Sequence, residues 1–154
     1  MTTITLVLGG ARSGKSSHGE ALIENLPPPW TYVATAQALD AEMTSRIADH
    51  QGRRGSNWST IEAPLELTKA VLDVEQSSRP LLIDCLTLWL SNLMAANKDI
   101  DLESAALVET LAATSVPVVI VSNEVGLGIV PDNALARQFR DHAGRLNQAI
   151  ARVA

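Results

Sequence analysis

Apolar and polar positions along the chain fall into two kinds of segment. Short, continuously apolar runs bounded by glycine, proline or polar residues are typical of strands buried on both faces. Longer stretches with apolar residues three or four positions apart are typical of amphipathic helices. The pattern predicts strands over 4–8, 30–35, 58–62, 81–84 and 116–122, and helices over 16–26, 41–53, 65–75, 86–96, 102–114 and 133–153.

Because these strands and helices alternate, the predicted fold class is α/β, with a doubly wound, mostly parallel sheet in a three-layer α/β/α arrangement. Ligands of such sheets bind beyond the carboxyl ends of the strands. The chain has 154 residues, so we expect residues 1–154 to form a single domain. The proline run at 27–29 separates two elements rather than two domains.

Composition and charge narrow the possible partners. Hydrophobic residues make up 46% and charged residues 19% of the chain, which is ordinary globular composition. A formal net charge of −5 without a basic stripe argues against nucleic acid as the main partner. Cys85 is the only cysteine, and no segment approaches the roughly 20 apolar residues of a spanning helix. We therefore expect a cytoplasmic protein without membrane insertion.

A glycine-rich motif, GGARSGKS, follows the first predicted strand and opens the first predicted helix. It fits G-x-x-x-x-G-K-[ST], the P-loop that holds the phosphates of a nucleoside triphosphate. Its backbone N–H groups and the start of the helix attract the anion. Lys15 is suited to the β- and γ-phosphates, and the Ser16 hydroxyl to Mg²⁺. The alternative, a glycine-rich turn with an incidental lysine, is disfavoured by the strand–helix context. The predicted phosphate-binding residues are Gly9, Gly10, Ala11, Arg12, Ser13, Gly14, Lys15 and Ser16.

Asp84 closes the apolar strand Leu81-Leu82-Ile83. An acidic residue at such a strand end holds Mg²⁺ in P-loop proteins, directly or through water. The alternative is a helix N-cap, because aspartate is a favoured cap and a helix follows. With the P-loop present, the metal role of Asp84 is the preferred interpretation.

Four basic residues, Arg46, His50, Arg53 and Arg54, are spaced so that one side of a helix carries them. Three guanidinium groups repel a metal ion but favour a neutral imidazole. A neutral imidazole among arginines suits attack on a phosphate, whose charge the arginines neutralise. For this helix alone, a solvated basic face would be the simpler interpretation.

The longer pattern H-x-x-x-R-x-x-x-W-x-T-x-E, from His50 to Glu62, makes that simpler interpretation less attractive. With it, the chain resembles the bifunctional adenosylcobinamide kinase/adenosylcobinamide-phosphate guanylyltransferase family of cobalamin biosynthesis. The matching segments cover nearly the whole chain and occur in the same order as in the family. The matching segments are LVLGGARSGKS, YVATA, RIADHQGRRGSNWSTIE, LLIDCLTLWLSNL, VVIVSNEVGLGIVP and LARQFRDHAGRLNQAIA.

The resemblance implies a P-loop NTPase-like enzyme with two activities. It implies phosphorylation of adenosylcobinamide by ATP or GTP. It further implies that a histidine attacks the α-phosphate of GTP, that pyrophosphate leaves, and that GMP passes to adenosylcobinamide phosphate to give adenosylcobinamide-GDP. The GMP-accepting histidine would be His50, with Lys15 also catalytic. The implied guanine-nucleotide contacts are Ala34, Thr35, Ala36, Gln51, Gly52, Arg53, Arg54, Glu62 and Asp84.

The Glu62 assignment also has a chemical reason, because a carboxylate can accept hydrogen bonds from guanine N1–H and N2–H, which adenine lacks. The resemblance implies Mg²⁺ at Ser16 and Asp84 and a homo-oligomer, with a trimer as the expected state. Family members usually continue through one more apolar strand; we expect either that the sequence stops short of this strand or that the protein lacks it. Two alternatives stay open: a small-molecule P-loop kinase with His50 as a bystander, and a nucleotide-dependent switch or binding module.

Overall fold

The structure, a computed structural model, describes residues 3–10, 13–37, 41–124 and 132–154, and gives the backbone alone for His50. Strands and helices alternate through these ranges, and each predicted element is present with ends within two residues of the prediction. The elements are β1 (Ile4–Gly9), α1 (Lys15–Glu24), β2 (Trp30–Ala34), α2 (Ala41–Arg53), β3 (Trp58–Glu62), α3 (Leu67–Ser77), β4 (Leu81–Asp84), α4 (Leu86–Ala95), α5 (Ile100–Ala113), β5 (Val118–Asn123) and α6 (Ala134–Val153).

Two of the shifted ends have simple local causes. Strand β5 begins at Val118 rather than Val116, because Pro117 has no N–H with which to enter a sheet ladder. Helix α5 begins earlier than predicted, at Ile100, because the Asp99 carboxylate accepts the backbone N–H of Leu102 and caps the first turn.

The strands of the described residues form one parallel sheet in the order β1-β5-β4-β2-β3. The predicted α/β class with a parallel sheet is therefore confirmed. The register aligns the carboxyl ends of neighbouring strands. Gly9 pairs with Asn123, Asp84 pairs with Ala34, and Ala34 pairs in turn with Glu62. Parallel strands thus bring residues from distant parts of the chain to one edge.

Helices cover both faces of the sheet, as expected for strands that are apolar throughout. On one face, α3 to α6 enclose the larger core, in which Trp89 and Leu93 of α4 are fully buried. On the other face, α1 packs on a smaller core around Ile23, Tyr32 and Val121. No helix within the described ranges combines the length and the hydropathy needed to cross a bilayer.

Gly19 sets how closely α1 approaches the sheet. A Cβ placed on Gly19 would lie 3.1 Å from Leu82 Cδ1 and 3.2 Å from Val121 Cγ2. These distances are shorter than ordinary van der Waals contact, so a side chain would push α1 away from β4 and β5. Because α1 begins at Lys15, its distance from the sheet also sets the position of the glycine-rich loop.

Replacement of Gly19 by valine should lower the free energy of unfolding by about 1–3 kcal/mol, because it overpacks this interface. Gly144 in α6 is the matched control, since nothing lies within 4 Å of a Cβ there. Gly144→Ala should raise stability by roughly 0.5–1 kcal/mol through helix propensity. Urea unfolding followed by circular dichroism measures both. Equal tolerance at the two sites would contradict the packing described for α1.

Candidate active site

The glycine-rich loop joins β1 to α1 and depends on its glycines. Gly14 caps α1 with φ 81°, a left-handed conformation that disfavours residues with a side chain. A Cβ at Gly9 would collide with the Ser13 hydroxyl. The Lys15 ammonium donates a hydrogen bond to the Gly10 carbonyl at 2.9 Å, so the lysine folds back over the loop. This is the arrangement of a loop that surrounds an anion.

The Asp84 carboxylate is a junction between the loop and the sheet. Its Oδ2 accepts hydrogen bonds from the Ser16 hydroxyl at 2.9 Å and from the Tyr32 phenol at 2.5 Å. The N-cap of α4 is Cys85, which makes no side-chain cap. Between the two interpretations of Asp84, the geometry therefore favours the one in which the carboxylate faces the loop. Burial, and secondarily the Asp84 charge, raise the pKa of Tyr32, so its phenol stays protonated and remains a donor.

Ser16 and Asp84 together offer the oxygen ligands that suit Mg²⁺. Magnesium in nucleotide sites is held by one or two protein oxygens and by substrate phosphates, rather than by a cage of protein ligands. No group of three or more histidine, cysteine, aspartate or glutamate residues that could hold a metal occurs within the described ranges. A hydroxyl and a carboxylate 2.9 Å apart beside the loop fit Mg²⁺ on this chemistry.

An inner cavity of about 440 Å³ opens at the carboxyl ends of β2, β3, β4 and β5. Its volume suits a nucleoside-sized ligand. Its walls combine apolar side chains with a few polar groups from different elements. It is lined by Lys15, Ser16, Tyr32, Ala34, Ala36, Met43, Arg46, Ile47, Gln51, Arg54, Glu62, Asp84, Leu88 and Asn123.

An outer cleft of about 580 Å³ also borders the loop and has a more polar lining. Its lining residues are Ser13, Gly14, Lys15, Ser16, Ser17, Arg46, Asp49 and Arg53. Lys15, Ser16 and Arg46 line both the inner cavity and the outer cleft. The two spaces therefore meet at the start of α1 and at the middle of α2.

Helix α2 forms the wall at this meeting point. Arg46 is exposed and pairs with Glu42 at 3.1 Å, and Arg53 donates to the Ser17 hydroxyl at 3.2 Å. The backbone of His50 lies in the last part of α2, between these two arginines. Three of the four basic residues, Arg46, His50 and Arg53, therefore belong to one helix as predicted, whereas Arg54 follows its last residue.

Arg54 differs from the other arginines, because its side chain is only 4% exposed. Its guanidinium carbon lies 3.6 Å from the centre of the Tyr32 ring, a cation–π distance. Its Nη1 faces Glu20 Oε1 of α1 at 3.9 Å. Arg54 thus lines the inner cavity, while most of its guanidinium is enclosed between α1 and β2.

Thr35 lies behind the cavity rather than on its wall. Its buried hydroxyl donates to the Cys85 carbonyl at 2.7 Å and accepts the Cys85 N–H at 2.9 Å. Its carbonyl accepts from the Asn92 amide at 2.8 Å, which also donates to Pro64. These bonds hold the ends of β2 and β4 together and fix the backbone that carries Asp84.

The predicted site residues are therefore largely, but not entirely, brought together. Thr35 and Gly52 are not among the residues that line either space. Ala11 and Arg12 lie outside the described residues, as does the side chain of His50. The remaining predicted residues either line one of the two spaces or shape the loop between them. The inner cavity has Ala34, Ala36, Gln51, Arg54, Glu62 and Asp84, the outer cleft has Ser13, Gly14 and Arg53, and the loop has Gly9 and Gly10.

Two polar residues of the inner cavity, Tyr32 and Asn123, are not among the site residues predicted from the sequence. Tyr32 lies two positions before Ala34 on β2, so strand alternation places both on the same face. Asn123 closes β5 and donates to the Thr87 hydroxyl at 2.8 Å. The signal available for both residues is a polar side chain at or near the carboxyl end of a parallel strand.

Comparison with known proteins agrees with this geometry. A family described as cobinamide kinase / cobinamide phosphate guanyltransferase matches residues 5–154. The chain belongs to this family. The family resemblance inferred from the sequence is thereby confirmed, and the protein is a transferase enzyme.

Three relatives illustrate the similarity. The bifunctional adenosylcobalamin biosynthesis protein CobP of Pseudomonas aeruginosa is 47% identical over 148 residues, covering 95% of this chain and 86% of the relative. The bifunctional adenosylcobalamin biosynthesis proteins CobU of Salmonella typhimurium and Escherichia coli are 41% and 39% identical. Each of these two alignments covers 97% of this chain and 90% of the relative.

Replacement of Thr35 by valine should lower the free energy of unfolding by about 1–3 kcal/mol, because it leaves the buried Cys85 N–H unpaired. Thr35→Ser keeps the hydroxyl and is the control; loss of the methyl group alone should cost roughly 1 kcal/mol. Chemical denaturation of the three proteins gives the comparison. Equal losses for valine and serine would mean that the hydroxyl does not hold the two strand ends together.

Proposed function

We propose that this protein first phosphorylates adenosylcobinamide and then converts the product to adenosylcobinamide-GDP. In the first step, the substrate hydroxyl oxygen bonds to the γ-phosphorus of ATP or GTP, and the nucleoside diphosphate leaves. In the second, an imidazole nitrogen of His50 bonds to the α-phosphorus of GTP, and pyrophosphate leaves. A phosphate oxygen of adenosylcobinamide phosphate then displaces the histidine from the GMP phosphorus. Residues 1–154 would act as one P-loop catalytic domain.

The observation that carries this proposal is the meeting of the two spaces at Lys15, Ser16 and Arg46. A nucleotide whose phosphates lie on the loop is adjacent to both of them. Helix α2 lines both spaces and bears His50 one turn after Arg46. A site with two compartments around one set of phosphate-binding groups suits an enzyme that must handle both a nucleotide and a second substrate.

Helix α2 would also supply charge stabilisation for the transferred group. Arg46 and Arg53 both line the outer cleft and flank His50 in sequence by four and three positions. Guanidinium groups at these positions neutralise charge that develops on phosphoryl oxygens. Lys15 would hold the β- and γ-phosphates and stabilise the leaving pyrophosphate.

Guanine recognition is assigned to the inner cavity. Glu62 ends β3 at its rim and presents a carboxylate that can accept from guanine N1–H and N2–H. Gln51 and Asn123 add amide groups, and the neighbouring apolar side chains offer a surface for a flat base. Thr35 would contribute by shaping this wall.

Mg²⁺ would be held by Ser16 and Asp84, and when bound it would neutralise charge on the phosphates. The hydroxyl of Ser16 and the carboxylate of Asp84 are already aligned by their mutual hydrogen bond. We further propose that the enzyme works in the cytoplasm as a homo-oligomer, with a trimer as the expected state. The corrinoid substrate and the nucleotides would be its only partners in the reaction.

The His50→Ala variant should fail to form a covalent GMP adduct, because the attacking nitrogen is removed. The purified protein is incubated with Mg²⁺ and GTP labelled at the α-phosphate, and then run on a denaturing gel. Wild type should retain label that is labile to acid and stable to base, as a phosphoramidate is. The variant should lose guanylyl transfer by at least about a thousandfold, while phosphorylation of adenosylcobinamide by γ-labelled ATP or GTP continues.

His142→Ala is the matched control, since His142 lies on α6 and bonds to Arg145, outside both spaces. It should retain the label. A wild-type protein that binds GTP but acquires no label would favour a kinase without the transferase step. Absence of corrinoid phosphorylation as well would favour a nucleotide-dependent switch or binding module.

A further inference from the structure

We propose that Tyr32 is a positioning residue that links the Asp84 carboxylate to the carboxyl-terminal end of α2. Its hydroxyl holds Asp84, and its ring holds Arg54, the first residue after α2. The assignment of Asp84 and α2 to nucleotide chemistry rests on the proposed function. The link itself rests on contacts between described residues.

The hydroxyl half of the link is a hydrogen bond to one carboxylate oxygen. Tyr32 and Ser16 both donate to Asp84 Oδ2, Tyr32 from β2 and Ser16 from α1. Tyr32 is buried, and its ring is braced by Trp58, whose ring centre lies 6.2 Å away at nearly a right angle. A rigid phenol therefore sets the orientation of the Asp84 carboxylate relative to the loop. Without it, the carboxylate has to be ordered when Mg²⁺ and the nucleotide arrive.

The ring half of the link is the contact with Arg54. The guanidinium lies over the ring face at 3.6 Å and faces Glu20 of α1. Both side chains of this ion pair are nearly enclosed, at 4% and 11% exposure, so water screens them little. Arg54 follows the last residue of α2 directly, so this contact fixes the end of the helix that bears His50.

The hydrogen bond to Asp84 uses the hydroxyl of Tyr32, and the contact with Arg54 uses its ring. Substitutions can therefore remove one contact and keep the other. Tyr32→Phe removes the hydroxyl but keeps the ring. Tyr32→Leu removes both, and Arg54→Met removes the cation but keeps the hydroxyl. A residue that only filled the core would not separate the two effects in this way.

The first experiment measures the Mg²⁺ dependence of nucleotide binding. The ligand is a GTP analogue with a methylene group between the α- and β-phosphorus atoms, which histidine cannot cleave. Tyr32→Phe should need roughly five- to tenfold more Mg²⁺ for half-maximal binding, which is the effect of one lost hydrogen bond to a charged group. Its affinity in EDTA should equal that of wild type. Thr31→Val is the matched control, since it removes a hydroxyl from the adjacent position on β2, which lines neither space.

The second experiment measures backbone hydrogen exchange over residues 47–54 in the protein without nucleotide. Exchange should be faster by about tenfold in Tyr32→Leu and Arg54→Met, because the end of α2 opens more often. Tyr32→Phe should exchange like wild type. Circular dichroism and thermal melting check that each variant is folded; if Tyr32→Leu is not, Tyr32→Phe and Arg54→Met still decide the outcome.

Unchanged Mg²⁺ dependence in Tyr32→Phe would overturn the hydroxyl half, and unchanged exchange in Arg54→Met would overturn the ring half. Neither measurement uses the covalent reaction. If the variants show the predicted shifts but the wild-type protein never acquires a GMP label, the link stands and the proposed transferase step fails.

Discussion

One carboxylate oxygen of Asp84 accepts hydrogen bonds from two hydroxyl groups, and the rest of the site depends on this interaction. Ser16 lies in the first turn of α1, Tyr32 on β2, and Asp84 at the end of β4, the strand beside β2. Each of these positions is fixed by something else: the loop by Gly14 and the close packing of α1, the end of β4 by Thr35. The Asp84 carboxylate therefore fixes the positions of the loop, β2 and β4 relative to one another.

The sheet order explains why the site is built this way. Parallel strands deliver their carboxyl ends to the same edge, and the order places β2 between β3 and β4. Ala34 therefore lies between Glu62 on one side and Asp84 on the other, with Tyr32 two positions before it on β2. The same strand offers a wall of the inner cavity and a support for Asp84. The inner cavity is thus a consequence of topology as much as of any single motif.

The parts that could be predicted from sequence are those encoded locally. The glycine-rich loop is contiguous, so its position between a strand and a helix could be inferred. Apolar periodicity was enough to find each helix and strand to within two residues. Asp84 could be inferred only as one of two alternatives, because a strand end beside a helix start suits both a cap and a metal ligand. The direction of the carboxylate decides in favour of the loop.

What could not be predicted depends on pairing between distant segments. The sequence predicts that Arg54 is one of several arginines that contact a phosphate, but in the fold its side chain is enclosed against Tyr32 and Glu20. Thr35 is predicted to contact the nucleotide, but its hydroxyl forms hydrogen bonds with the backbone of Cys85. Both depend on β2 lying beside β4, which hydrophobic periodicity does not specify. Charge and position in sequence indicated the right region, and the sheet order determined which side chains face the cavity.

The central claim is that Asp84 joins the phosphate loop to the rest of the site by holding Mg²⁺ with Ser16. The most direct test is the affinity of the methylene GTP analogue for wild type and Asp84→Asn, each measured with saturating Mg²⁺ and in EDTA. Asparagine keeps a hydrogen-bond acceptor but removes the charge that attracts the metal. We predict that Mg²⁺ strengthens binding to wild type by at least about tenfold more than to the variant, with similar affinities in EDTA. An equal gain from Mg²⁺ in both proteins would contradict the account.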